Sequence, residues 1–145
     1  MLPNYDENGF LPEAVWDCSL EELQTRFAAF RRSDRRLKLF AELEKFLAEI
    51  IKTNWVKEII IDGSFVPEKE EPNDIDIILA LHKSTANIET PFWIENTLDR
   101  TRLAKKYKFD VMVVLDQSRK YQVNLDFFQQ VRQSDLRKGV VRLTL

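Results

Sequence analysis

The sequence contains one cysteine, Cys18, and one histidine, His82. A single cysteine excludes an internal disulfide and fits a reducing compartment. No apolar run approaches the roughly 18 residues that a membrane-spanning helix needs. The opening residues, from Met1 to Asp6, lack the basic and apolar regions of a secretory signal peptide. We therefore expect a cytoplasmic protein that has no contact with a membrane.

The sequence also lacks a large excess of charge of either sign, because it has 22 basic and 24 acidic residues and a net charge of -2. No overall field therefore attracts nucleic acid or an acidic membrane, although RNA stays open as a substrate. The 145 residues are 44% apolar and 32% charged, which is ordinary for a globular protein. This length predicts a single domain over residues 1–145, with an irregular lead-in at 1–18.

Capping residues and apolar spacing predict four helices. Ser19 and Glu22 match a capping box, which predicts a helix from Leu20 to about Arg32. Ser33 is the predicted cap of a second helix, whose apolar residues up to Ile50 recur every three or four positions. A third helix is predicted from Pro91 to about Lys106, and a fourth is predicted to begin with a cap at Asn124 and to end at Gly139.

Short stretches rich in β-branched residues predict three strands, at 56–61, 74–81 and 107–115. The order is then two helices, two strands, a helix, a strand and a helix. This order predicts an α+β fold, or α/β sandwich, in which helices cover a mixed sheet.

Two acids, Asp74 and Asp76, begin the second predicted strand. Alternation along a strand puts them on one face, roughly 7 Å apart at Cα, while Ile75 and Ile77 point to the core. Two carboxylates this close repel each other unless a cation lies between them. Oxygen ligands without nearby His or Cys favour Mg²⁺ or Mn²⁺ over zinc.

A third acid, Asp110, lies between Phe109 and Val111 in another apolar strand. If the two strands are neighbours, Asp110 joins Asp74 and Asp76 in a cluster of three carboxylates. Such a cluster can hold two metals ~3.5–4 Å apart, which bind the attacking and leaving oxygens of a phosphoryl displacement.

Gly63 and Ser64 follow the first predicted strand directly. A turn whose backbone N–H groups contact phosphate oxygens needs a residue without Cβ, and a neighbouring hydroxyl adds a donor. Lys69 and Lys138 are further candidates to reach a triphosphate, with a solvated position as the alternative for each.

Each feature alone has an ordinary structural explanation. An Asp-x-Asp pair is often a solvated strand face, Gly-Ser after a strand is often a simple turn, and a lone acid is often a cap. In this order and spacing, the three together are uncommon by chance. The basic residues of the predicted helices are expected to be solvated rather than an RNA track: Arg31, Arg32, Arg35, Arg36, Arg100, Arg102, Lys105, Lys106 and Lys108.

The pattern Gly63-Ser64, Asp74-Ile75-Asp76-Ile77 and Phe109-Asp110-Val111 resembles the signature of the nucleotidyltransferase superfamily related to DNA polymerase β. Further segments, from Asn8-Gly9-Phe10-Leu11-Pro12 to Lys138-Gly139-Val140-Val141-Arg142, resemble a group of small, largely uncharacterised prokaryotic members. The resemblance implies a minimal nucleotidyltransferase fold.

The resemblance also implies roles for the matching residues. Asp74 and Asp76 would bind Mg²⁺ or Mn²⁺ and the nucleotide phosphates, and Asp110 would hold a second metal and help to deprotonate the acceptor hydroxyl. Gly63 and Ser64 would hold the β- and γ-phosphates of a nucleoside triphosphate. The reaction implied is transfer of a nucleoside monophosphate to a protein, an RNA end or a small molecule, with release of pyrophosphate.

Only about thirty residues follow the third predicted strand, whereas larger relatives add a C-terminal helical domain that grips the base or the acceptor. The sequence shows no base-stacking element, which predicts a small, protein-bound or oligomer-supplied acceptor site. The alternative function is a non-catalytic or regulatory docking protein with the same fold, such as the antitoxin half of a toxin–antitoxin pair. The base, the acceptor and the oligomeric state stay open.

Overall fold

The β-branched segments of the chain form one mixed, five-stranded sheet. The computed structural model describes residues 1–29 and 32–145. The strands are β1 (Val15–Asp17), β2 (Val56–Ile61), β3 (Asp76–Leu81), β4 (Asp110–Leu115) and β5 (Val140–Thr144). Their order in the sheet is β1-β5-β2-β3-β4. The β1–β5 and β3–β4 pairs are parallel, and β2 is antiparallel to both β5 and β3.

Helices cover both faces of this sheet, as predicted for an α+β fold. They are α1 (Leu20–Phe27), α2 (Arg35–Ile51), α3 (Phe92–Thr97), α4 (Arg100–Tyr107) and α5 (Arg119–Gln129). The first four pack on one face around Ile59, Ile77 and Val111, and α5 packs on the other around Ile60 and Ile78. Within the described residues, no helix is both long and apolar enough to cross a membrane.

The three predicted strands lie side by side in the sheet, although two of them begin later than predicted. The predicted bounds of β2 are confirmed, whereas β3 begins at Asp76, so Asp74 lies in the loop before it. The third begins at Asp110, because the preceding helix continues to Tyr107 and Lys108 ends it in the left-handed region at φ 64°.

Several helix boundaries differ from the prediction. The first helix ends at Phe27, and its predicted last turn includes Phe30 and Arg31, which lie outside the described residues. Asp34 occupies the N-cap position of α2 but its side chain makes no capping hydrogen bond, and the hydroxyl of Ser33 accepts the N–H of Arg35 at 3.1 Å. Asp99 caps α4 and divides the predicted third helix in two. Ser118 instead of Asn124 caps α5, since its hydroxyl accepts the N–H of Tyr121.

Two short strands were not predicted. The lead-in contains β1, and the segment after Gly139 is β5, an interior strand between β1 and β2. Gly139 does not end a helix, because α5 already ends at Gln129. A Cβ at Gly139 would lie 2.2 Å from the carbonyl oxygen of Pro12, so only glycine lets these two backbones pass.

A buried arginine holds the loop that follows β2. The Arg36 side chain is 2% exposed, which contradicts its predicted solvated position. Its guanidinium donates to four backbone carbonyl oxygens: those of Phe27 at 3.2 Å, Phe65 at 2.5 Å, Pro67 at 2.8 Å and Lys69 at 2.6 and 2.9 Å. The planar fork of donors, which Lys lacks, makes this arrangement specific to arginine.

We expect Arg36→Met to lower the free energy of unfolding by roughly 3 kcal/mol or more, because each buried carbonyl left without a donor costs about 1–3 kcal/mol. The matched control is Arg35→Met, which removes an exposed arginine from the adjacent position and should change stability by less than about 0.5 kcal/mol. Urea unfolding of the two variants measures the difference. Equal midpoints for both variants would contradict the proposed clamp, which is the set of hydrogen bonds from the Arg36 guanidinium to these carbonyl oxygens.

Candidate functional site

Three aspartates form a row across one end of three neighbouring strands. Asp76 and Asp110 are direct partners in the parallel β3–β4 register, which places their Cα atoms about 4.8 Å apart with both side chains on the same side of the sheet. Asp62 follows β2, and its N–H donates to the carbonyl oxygen of Asp76 at 2.9 Å. The predicted neighbourhood of Asp76 and Asp110 is therefore present, and Asp62 extends it.

Asp74 is held by the turn that follows β2. Its Oδ1 accepts the N–H of Ser64 at 2.8 Å and the Ser64 hydroxyl at 2.7 Å. Oγ of Ser64 in turn accepts the N–H of Asn73 at 2.8 Å. The donors of Ser64 that were predicted to hold phosphate are thus engaged by Asp74. A phosphate at this position requires the Asp74 side chain to release them.

The turn itself requires glycine at position 63. Gly63 has φ +75°, a conformation that side chains with Cβ rarely adopt. A Cβ there would lie 2.8 Å from the backbone nitrogen of Asp76 and 3.0 Å from the carbonyl oxygen of Asp74. Glycine at this position therefore lets the turn lie directly against the two acids.

The pKa of Asp76 depends on its burial and on the neighbouring acids. Partial burial, followed by the charges of Asp74 and Asp110, raises the pKa of Asp76 to about 6. Lys138 and Arg132 oppose this shift without cancelling it. The three acids predicted from sequence therefore interact electrostatically in the folded chain.

Asp110 differs from the other two predicted acids in its surroundings. Its Oδ1 accepts a hydrogen bond from Arg100 at 3.0 Å, and its side chain is 57% exposed. It lies outside the large cleft that Asp74 and Asp76 line. Asp110 therefore points from the row toward the outer edge of the sheet, where β4 is the last strand.

The main cleft of the described part of the chain has a volume of about 650 Å³, which is in the usual range for small-molecule sites. One wall consists of Asp62, Gly63, Ser64, Asp74 and Asp76. Further lining residues are Phe10 and residues from the C-terminal end of α5 and the segment after it, up to Gln133. Lys69 and Lys138 complete the lining.

Sequence reasoning missed the buried ion pair of this cleft. Asp62 is 4% exposed, and its Oδ2 lies 2.8 Å from Nζ of Lys138. Among the described residues, Asp62 Oδ1 is the only buried side-chain oxygen or nitrogen without a hydrogen-bond partner. Lys138 was a candidate for phosphate binding, and it does line the cleft, paired with Asp62. The available signal in the sequence is an acid directly after an apolar strand.

Comparison with known proteins gives a family but no function. The model of a family of unknown function, DUF6932, matches residues 3–144. The chain belongs to DUF6932. No curated protein and no solved structure matches this member of the family.

The acids of this DUF6932 chain offer only oxygen atoms as donors, the type that suits Mg²⁺ or Mn²⁺. Within residues 1–29 and 32–145, no three His, Cys, Asp or Glu side chains are arranged to ligate one metal ion. Asp74 is bonded to Ser64 and Asp110 to Arg100, so both side chains would have to rotate to ligate a metal. Burial, followed by the charges of Asp74 and Asp110, raises the pKa of Asp76, and a cation would oppose this shift.

Asp62 makes the stability of this DUF6932 member depend on pH. Burial outweighs the attraction of Lys138 and raises the pKa of Asp62 from 3.8 to about 7. The folded chain therefore keeps a proton that the unfolded chain releases, so the stability from this group is complete below pH 3.8 and is lost as pH rises through about 7.

We expect the unfolding free energy of the wild type, relative to Asp62→Asn, to fall by roughly 3 kcal/mol between about pH 4 and pH 8. Asn resembles the protonated acid and can still accept a hydrogen bond from Lys138, so the other titrations largely cancel in the comparison. Urea unfolding over this pH range measures the difference. A difference that is independent of pH would contradict the raised pKa.

Proposed function

We propose that this protein is a metal-dependent nucleotidyltransferase, which transfers a nucleoside monophosphate from a nucleoside triphosphate to a hydroxyl group. The observation that carries the proposal is the position of Asp76, in register with Asp110 and beside Asp74 and the Gly63-Ser64 turn. Asp76 lines a substrate-sized cleft and has a raised pKa, and such perturbed groups concentrate at functional sites. The acceptor in this proposal is a protein, an RNA end or a small molecule, and the site of action is the cytoplasm.

The residues of the site have separate tasks in this proposal. Asp74, Asp76 and Asp110 would hold Mg²⁺ or Mn²⁺, which neutralises the phosphate charges and polarises the reacting oxygens when bound. Gly63 gives the phosphates close access to the backbone, and Ser64 offers an N–H and a hydroxyl once Asp74 has released them. Lys138 and Arg132 add positive charge near Asp76.

The proposed step is an in-line displacement at the α-phosphorus. The acceptor hydroxyl oxygen forms a bond to that phosphorus while the bond to the oxygen bridging the α- and β-phosphorus atoms breaks. Pyrophosphate leaves with the electron pair, and the hydroxyl proton passes to the Asp110 carboxylate. The chain acts by positioning and charge neutralisation, and it forms no covalent intermediate.

A second function, a regulatory docking protein such as the antitoxin half of a toxin–antitoxin pair, is favoured by the exposed aromatic residues of α3. Phe92 is 83% exposed and Trp93 is 54% exposed. Large exposed aromatic side chains are typical of protein interfaces. The two functions are compatible if the docked partner is also the acceptor.

The test is transfer of label from triphosphates labelled at the α- or the γ-phosphate, with Mg²⁺ or Mn²⁺ and host lysate as the source of acceptor. Nucleotidyl transfer predicts that an acceptor keeps the α-label and not the γ-label. Asp76→Asn and Asp110→Asn should each lower the rate by at least roughly 100-fold, because charge stabilisation of the displacement is lost.

Glu44→Gln is the matched control, since it neutralises an exposed acid on α2 that does not line the cleft. It should transfer label at the wild-type rate. Acceptors that keep the γ-label would identify a kinase and contradict the mechanism. Folded wild type that labels nothing with any of the four triphosphates would favour the docking protein.

A further inference from the structure

Part of the cleft lining is aromatic. This aromatic wall contains Phe10, Phe127 and Phe128, with Val131 beside them. The same cleft is lined by Asp74, Asp76 and the Gly63-Ser64 turn. A nucleotide, with its flat base and charged tail, requires apolar and polar groups in one cavity, and this cleft contains both.

Phe127 is the residue of this wall that is free to stack. Successive helix positions differ by about 100° in direction, so Phe128 is 7% exposed and packs on the sheet while Phe127 is 70% exposed and lines the cleft. An exposed phenylalanine makes little contribution to the core. A planar base that covered it would remove its apolar surface from water.

Two cations of the lining, Lys69 and Arg132, form no direct ion pair with another described residue. Gln133, beside Arg132, has an exposed side chain and adds amide donors and acceptors to the same wall. Charge for a phosphate tail and polar groups for a base edge therefore occur in one cavity.

The position of Asp110 indicates that the acceptor binds outside this cleft. Asp110, the proposed acceptor-side acid, lies outside this cleft and pairs with Arg100 at the outer edge of the sheet. The cleft that contains the Gly63-Ser64 turn is thus left for the nucleoside triphosphate. We propose that Phe127 is the stacking platform for the nucleobase, with Gln133 at the base edge and Lys69 and Arg132 toward the phosphates; this rests on the proposed function.

The test is calorimetric titration of the full chain, in Mg²⁺, with each of the four nucleoside triphosphates and with inorganic tripolyphosphate. Phe127→Ala should weaken binding of the preferred triphosphate roughly 10- to 100-fold, the range expected for losing one stacked base. Its affinity for tripolyphosphate should stay unchanged, because that ligand has no base. Phe127→Tyr should bind like the wild type.

Phe92→Ala is the matched control, because it removes another exposed phenylalanine, 83% exposed against 70% for Phe127, that does not line the cleft, and it should bind every ligand like the wild type. A Phe127→Ala variant that binds nucleotide like the wild type, or loses tripolyphosphate equally, would overturn the platform. Wild type that binds no nucleotide would overturn both the platform and the proposed function. Phe127-dependent binding without label transfer would support the platform and count against the transferase alone.

Discussion

The Arg36 guanidinium organises the region on which the site depends. It joins the carbonyl oxygen of Phe27, at the end of α1, to three carbonyl oxygens of the loop that leaves the Gly63 turn. Those carbonyls would otherwise be buried without donors, at a cost that a short polar loop cannot offset. The clamp fixes the path of the loop from Phe65 to Lys69, and with it one rim of the cleft.

Positively charged side chains form salt bridges with two of the acids in the site. The sheet brings Asp62, Asp76 and Asp110 to one end of three adjacent strands, because β2 runs antiparallel to β3 and β3 runs parallel to β4. Lys138 forms a salt bridge with Asp62, and Arg100 forms one with Asp110. Asp76 has no such direct salt bridge among the described residues, and burial, followed by the charges of Asp74 and Asp110, raises its pKa. A fold selected only for stability would gain from replacing it.

Local patterns in the sequence predicted the middle of the fold and the proximity of Asp76 to Asp110. The β-branched run of β2 and the alternation around Ile75 and Ile77 are local signals, and both hold in the structure. The strands β1 and β5 were missed because they have only 3 and 5 residues, and their pairing is decided by contacts between the two ends of the chain.

The remaining differences have the same origin in tertiary contacts. Burial of Arg36 depends on carbonyls about thirty positions away, which no local pattern reveals. The same holds for Asp62, whose partner Lys138 is brought close only by β5. The engagement of Ser64 by Asp74 was also not predictable from spacing, since the spacing fits either a phosphate or a carboxylate at the turn.

The proposed function requires that a nucleoside triphosphate binds at the Gly63-Ser64 turn, beside Asp74 and Asp76. The deciding measurement is a crystal structure of the wild type with Mg²⁺ and a triphosphate whose α,β-bridging oxygen is replaced by methylene. In that structure, the hydrogen bonds of Ser64 to Asp74 should be replaced by bonds to phosphate, with metal bound between Asp74 and Asp76. A nucleotide bound elsewhere, with Ser64 still donating to Asp74, would contradict the proposed function.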